Sequence, residues 1–135
     1  MSLLREAWVT GLLEHPNIIP VYELGTGRSD EPMLVMKKVE GVSWAEILDD
    51  PSKAPRALDP DDPLDWHLEI LEQVCNAVHY AHSKGIIHRD IKPENVMVGR
   101  FGEVYLVDWG IAVSLSADPS GRLPYVGDIS SPAGT

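Results

Sequence analysis

An α+β fold, in which short antiparallel strand pairs stand apart from one long helix, is the class this sequence predicts, and three features carry it. Residues 18–24 with 33–39, and 96–98 with 104–107, are short apolar runs rich in β-branched side chains, and each pair is split by a polar stretch containing glycine. Such pairs read as hairpins. Between them, Ile70, Leu71, Val74, Ala77, Val78 and Ala81 follow the 3.6-residue period of an amphipathic helix. From Ser114 onward Ser, Pro, Gly and Asp dominate without a period, and extended or mobile loop is expected there.

Taken in order, the chain opens on a helix expected over residues 2–14, because Leu4, Trp8 and Leu12 recur at i, i+4 and i+8 and Pro16 lies just beyond. Gly11 weakens that helix slightly. The first hairpin carries a long loop over residues 25–32. Gly41 punctuates its second strand, and Ser43 suits the N-cap of a short helix running through Leu48. A connector rich in Pro and Asp, expected to be mobile, follows as far as Leu64. Asp65 suits the N-cap of the long helix and Gly85 its C-terminal stop. The single cysteine, Cys75, has no partner for an internal disulfide and is expected to pack on a buried or half-buried helix face.

A length of 135 residues suits one domain, and 44% hydrophobic with 24% charged residues argues against wholesale disorder. The formal net charge of −10 is the wrong sign for a surface that neutralises nucleic-acid phosphates or anionic lipid headgroups, so neither is expected as a partner. Asp59, Asp61, Asp62 and Asp65, interleaved with Pro55, Pro60 and Pro63, read as a solvated loop in preference to a metal site. No apolar stretch approaches the roughly 20 residues needed to span a bilayer and no signal pattern opens the chain, so a cytoplasmic location is expected.

Chemistry concentrates in the run His88-Arg89-Asp90-Ile91-Lys92-Pro93-Glu94-Asn95, followed thirteen residues past Asn95 by Asp108-Trp109-Gly110. Singly, Asp and Asn are turn residues, Lys92 is an ordinary surface charge and His88 a satisfied core histidine. Together, in this order and spacing, they resemble the eukaryotic-type serine/threonine protein kinases, including their bacterial members: the first run matches the catalytic loop and the second the magnesium-binding triplet, with Trp for the usual Phe. The resemblance implies a partial protein-kinase-like fold: the C helix, a strand hairpin and hinge, the D and E helices, the catalytic loop, a second hairpin and the activation loop.

ATP and Mg²⁺ are the implied cofactors and a protein substrate the implied partner. Phosphoryl transfer needs positioning and charge stabilisation more than covalent help. By resemblance, Asp90 orients the acceptor hydroxyl and takes its proton, Lys92 neutralises charge on the γ-phosphate, and Asn95 and Asp108 hold magnesium. His88 is a packing and hydrogen-bonding element, and Arg89 resembles the arginine that binds a phosphorylated activation loop. Lys92-Pro93-Glu94-Asn95 looks like the serine/threonine branch. Glu6, ten residues before the proline of His15-Pro16-Asn17-Ile18, matches the ion-pair glutamate of the C helix. Met36 matches the gatekeeper, the backbones of Lys37 and Val39 the adenine contacts, Ser43 the ribose neighbour, Met97 the floor under the base, and Val107 the residue before the metal aspartate. Ser130 and Ser131, shortly before Thr135 in the region resembling the substrate-docking segment, are expected phosphorylation sites that would pair with Arg89.

Residues 1–40 then correspond to a remnant of the N-lobe and the hinge, and 41–135 to the first part of the C-lobe. The three opening strands with their Gly-rich loop and lysine have no counterpart, nor have the helices after the activation segment, and Met1-Ser2-Leu3 reads as an expression leader. Trp109 and Thr10 fall where the family stacks apolar side chains; Trp fits by size, Thr less well. This 135-residue stretch is therefore expected to be inactive alone. Without later helices, the face of residues 70–81 and the second hairpin is expected to leave an apolar patch open to self-association. The alternatives are a non-catalytic kinase-like binding module and a small-molecule phosphotransferase of related fold.

Overall fold

The computed structural model describes residues 3–55, 62–116 and 124–128. Helix α1 spans Leu3–Leu12. Its buried side is formed by Ala7, Val9 and Thr10, with Leu13 just past its end, while Leu4 and Leu12 stay 53% and 48% exposed. Of the expected stripe of Leu4, Trp8 and Leu12, Trp8 packs half-buried against the core while both leucines turn outward, so the phase is shifted. Thr10 keeps its buried hydroxyl satisfied by donating it to the carbonyl of Glu6 one turn back.

Strands β1 (Val21–Thr26) and β2 (Pro32–Met36) form the first hairpin, antiparallel, with Thr26 opposite Pro32 and an irregularity between Val21 and Glu23. Strand β3 (Gly41–Ser43) follows, and it joins a second sheet in the order β3, β5, β6 with β5 (Val96–Gly99) and β6 (Val104–Leu106). Only the β5–β6 pair was legible as a hairpin; β3 was expected to be a break. Glycine is required at Gly41, where a Cβ would lie 2.0 Å from the Val98 carbonyl oxygen.

Helix α2 (Trp44–Asp49) starts on the expected cap: Ser43 Oγ accepts from Glu46 N–H at 3.1 Å, and Glu46 Oε2 accepts from Ser43 N–H at 2.9 Å. Helix α3 (Pro63–Ser83) begins earlier than expected, with Asp62 as its cap and Asp65 supplying the N–H that Asp62 accepts at 2.9 Å. Pro63, lacking an N–H, suits the first helical position, which moves the cap back. At the other end Gly85 takes φ +73°, as expected for the stop.

Ile70, Val74, Ala77 and Ala81 on α3 are buried within the core. The anticipated open patch is therefore smaller over 70–81, where Leu71 is the large exposed apolar side chain, and it continues toward the helix start through Leu64 and Leu68. Cys75 is exposed, contrary to expectation, because it follows Val74 by about 100° around the helix. Short strands β4 (Ile86–Ile87) and β7 (Val113–Ser114) pair antiparallel, so Ser114 is buried sheet and not loop. Ser114 N–H also reaches the Pro124 carbonyl at 2.9 Å.

The amino-terminal part is clipped to the second sheet by Asn17. Its Nδ2 donates to Val104 O at 3.0 Å and to Gln73 Oε1 at 3.1 Å, and its carbonyl accepts from Leu106 N–H at 2.8 Å. Ile18 then forms a parallel bridge with Leu106. Among the described residues no helix is long and apolar enough to cross a membrane.

Candidate active site

The loop between β4 and β5 is organised around His88, which is buried and presents its ring to the edge-on face of Trp109, centroids 4.5 Å apart. Nδ1 accepts from Asp90 N–H at 3.0 Å, so Nε2 carries the ring proton and donates to the Val107 carbonyl at 2.8 Å. One neutral imidazole thereby ties the amide of Asp90 to the residue before Asp108. Burial pushes the His88 pKa down, and the Val107 carbonyl and the Asp90 and Asp108 carboxylates oppose that shift only in part. Trp109, fully buried, donates Nε1–H to Leu106 O at 3.1 Å.

Asp90, Lys92 and Asn95 are brought together. Lys92 Nζ lies 3.4 Å from Asp90 Oδ1, while Asn95 Nδ2 donates to the Asp90 carbonyl at 2.9 Å and to Asp90 Oδ2 at 3.2 Å. Each Asp90 oxygen keeps a second lone pair. With both amide hydrogens of Asn95 turned to Asp90, its Oδ1 is the atom left to receive a cation. Asn95 O accepts Val107 N–H at 2.9 Å, which fastens the start of β5 to the residue preceding Asp108.

Asp108 has φ +62° and makes no ion pair among the described residues. Burial, and then the charge of the Asp108 carboxylate, hold the pKa of Glu6 on α1 above the ordinary carboxyl range. The Asp108 carboxylate and Asn95 Oδ1 are hard oxygen donors that fit Mg²⁺, whose shell is commonly completed by phosphate oxygens and water. No group of three or more His, Cys, Asp or Glu side chains forms a cage by itself among the described residues.

Arg89, also at positive φ (+72°), donates Nε–H to Ile111 O at 2.8 Å. Arg5, which the sequence did not single out, reaches Gly110 O at 3.3 Å. Both hold the backbone just after Asp108. Sequence offers no sign of the Arg5 contact, because its partner lies 105 residues away. Ser130, Ser131 and Thr135 lie outside the described residues.

Met36 ends β2 opposite Val21, and Lys37 N–H donates to Pro20 O at 3.0 Å. That leaves the Lys37 carbonyl, and both backbone groups of Val39, without a backbone partner among the described residues. Ser43 pairs across β3 and β5 with Met97. Residues 37 and 39, 43, and 97 thus lie on neighbouring parts of one scaffold. Tyr105, another residue the sequence did not mark, sits opposite Met97 on β6 and bonds the Lys37 ammonium.

A family model of the protein kinase domain matches residues 1–133. The chain belongs to the protein kinase family. Its relatives include the serine/threonine-protein kinase PknD of Protochlamydia amoebophila, 38% identical over 124 residues, which is 89% of this chain and 12% of that protein. The PknD proteins of Chlamydia felis and Chlamydia trachomatis serovar L2b are 36% and 37% identical, each over 82% of the chain. The chain spans 12% of the length of each of these three relatives. The kinase fold it shows is the partial α+β one, with mixed helices and small antiparallel sheets.

Proposed function

We propose that this chain supplies the catalytic-loop and metal-binding part of a kinase that moves the γ-phosphate of ATP to protein serine or threonine. The observation that carries the reading is the double engagement of Asn95, whose amide holds Asp90 while its carbonyl holds Val107 beside Asp108. One residue sets the spacing between the acceptor side and the metal side of the reaction.

Asp90 accepts the hydroxyl proton as the acceptor oxygen bonds to phosphorus and the bond to ADP breaks. Lys92, 3.4 Å from Asp90, is placed to bear on the transferred phosphate. Bound Mg²⁺ would neutralise the phosphate oxygens; Asn95 and Asp108 are the residues that would hold it, and Glu6 adds negative charge beside Asp108. Met36, the backbones of Lys37 and Val39, Ser43, Met97 and Val107 form the base and ribose side. Residues 1–40 serve as N-lobe remnant and hinge, and 41–135 as the first part of the C-lobe.

Arg89 keeps its terminal guanidinium nitrogens for a phosphate on Ser130 or Ser131, near Thr135 in the activation segment. We place the protein in the cytoplasm and assign self-association to the exposed Leu64, Leu68 and Leu71 of α3. In the full-length protein, Asp90→Asn is expected to lower phosphate transfer by about 10² to 10⁴-fold, the range for a positioned general base, with the KM for ATP nearly unchanged. A radiolabelled transfer assay tests this, and normal turnover by the variant overturns the assignment.

A further inference from the structure

We infer that the Tyr105 hydroxyl is a positioning group for the base-recognising backbone of residues 37–40, acting through the side chain of Lys37. The inference rests on the nucleotide reading given above and assigns a role to a residue outside it. Tyr105 is only 5% exposed, so its ring is fixed in the β5–β6 hairpin, yet its hydroxyl emerges to accept from Lys37 Nζ at 2.9 Å. The ammonium also lies 5.5 Å from the Tyr105 ring centroid, over a π face that attracts it. The hydroxyl bond is the leading cause of a raised Lys37 pKa, which keeps the donor charged at working pH.

The far end of the same segment is held independently. Arg100 N–H donates to Glu40 O at 2.7 Å, and the Arg100 guanidinium approaches Glu40 at 3.9 Å. Residues 37–40 are thus pinned at both ends to one hairpin, with the unpartnered backbone groups of Val39 between the pins. That hairpin starts directly after Asn95, ends at Leu106, two residues before Asp108, and carries Met97 directly across from Tyr105. A base held by Lys37 and Val39 would therefore take its position from the same rigid piece that positions the proposed metal ligands. Without the Tyr105 hydroxyl, the Lys37 end loses its hold on the β5–β6 hairpin, and residue 37 can swing away from Pro20 as well.

Tyr105→Phe keeps the packed ring and removes only the acceptor; Lys37→Met removes the donor. Two amides report opening of the pinned segment, Lys37 N–H on Pro20 O and Arg100 N–H on Glu40 O, with Val107 N–H on Asn95 O as the control. Hydrogen exchange on the full chain should be faster at Lys37 by about fivefold in Tyr105→Phe, in line with a charge-assisted hydrogen bond at a half-exposed site, and unchanged at Val107. The double variant should add nothing to either single one.

In parallel, adenosine and magnesium tripolyphosphate are titrated while the Val39 amide resonance is followed. Adenosine binding should weaken by about threefold to tenfold in Tyr105→Phe, and tripolyphosphate, which has no base, should bind as before. Unchanged exchange at Lys37 overturns the tether. Faster exchange with unchanged adenosine affinity overturns the positioning role. A wild-type Val39 resonance that ignores adenosine sinks the nucleotide reading itself, while the exchange arm has by then decided the tether separately.

Discussion

The catalytic loop with β5 and β6, and the amino-terminal α1 with the β1–β2 hairpin, are built on different terms. In the first, Val96, Val98, Val104, Leu106 and Trp109 are all buried, and the polar side chains among them, His88 and Asn95, have hydrogen-bond partners. In the second, Leu4, Leu12, Tyr22, Met33 and Val35 stay exposed, and Tyr22 is 66% accessible. The site is assembled where packing and polar satisfaction coincide, because a group that must hold still within tenths of an ångström needs neighbours on every side. The amino-terminal part reaches it through fixed contacts such as Arg5 on Gly110 and Asn17 on β6.

That contrast predicts a steep gradient of sensitivity. The largest stability loss should follow Trp109→Ala, at about 3–5 kcal/mol, since the ring is fully buried and the cavity would open under His88. Urea unfolding measures it; a loss under about 1 kcal/mol would mean the site is not the rigid half. Next comes a pH effect. Because the folded pKa of His88 is depressed, the unfolded chain takes a proton below about pH 6.5 that the folded chain refuses. Stability should therefore be fully present above that pH and decline as pH falls toward the folded value. His15, lowered by burial, acts in the same direction, and Glu6, with its raised pKa, acts in the opposite one. Comparing urea midpoints at pH 7.5 and 5.5, wild type should lose more than His88→Gln; parallel losses would remove His88 as the cause.

A smaller effect is expected at the α2 cap. Ser43→Ala should cost about 1 kcal/mol, the usual value for a lost N-cap, and the capping box with Glu46 gives Glu46→Ala a similar direction. Smallest of all, Met33→Ala on the exposed face of β2 should stay within about 0.5 kcal/mol, read as a thermal midpoint that barely moves. A large loss there would show that something covers the β1–β2 hairpin in solution, and would narrow the contrast between the two regions.

Residues 88–95 and 108–110 marked the family without any structure, because their order and spacing along one loop and one strand end match the kinase catalytic loop and metal triplet as a set. The β5–β6 hairpin, the Ser43 cap and the Gly85 stop were equally local and equally legible. What a side chain meets across the fold was not. The phase of α1, the exposure of Cys75, the cap at Asp62 in place of Asp65 and the pairing of β4 with β7 each depended on neighbours or flanking geometry that periodicity does not encode. Arg5 meets Gly110 across 105 positions and Lys37 meets Tyr105 across 68. The sequence determined the family its motifs belong to; only tertiary packing decided which distant groups hold them in place, because a contact's free energy depends on who is within reach after the chain has folded.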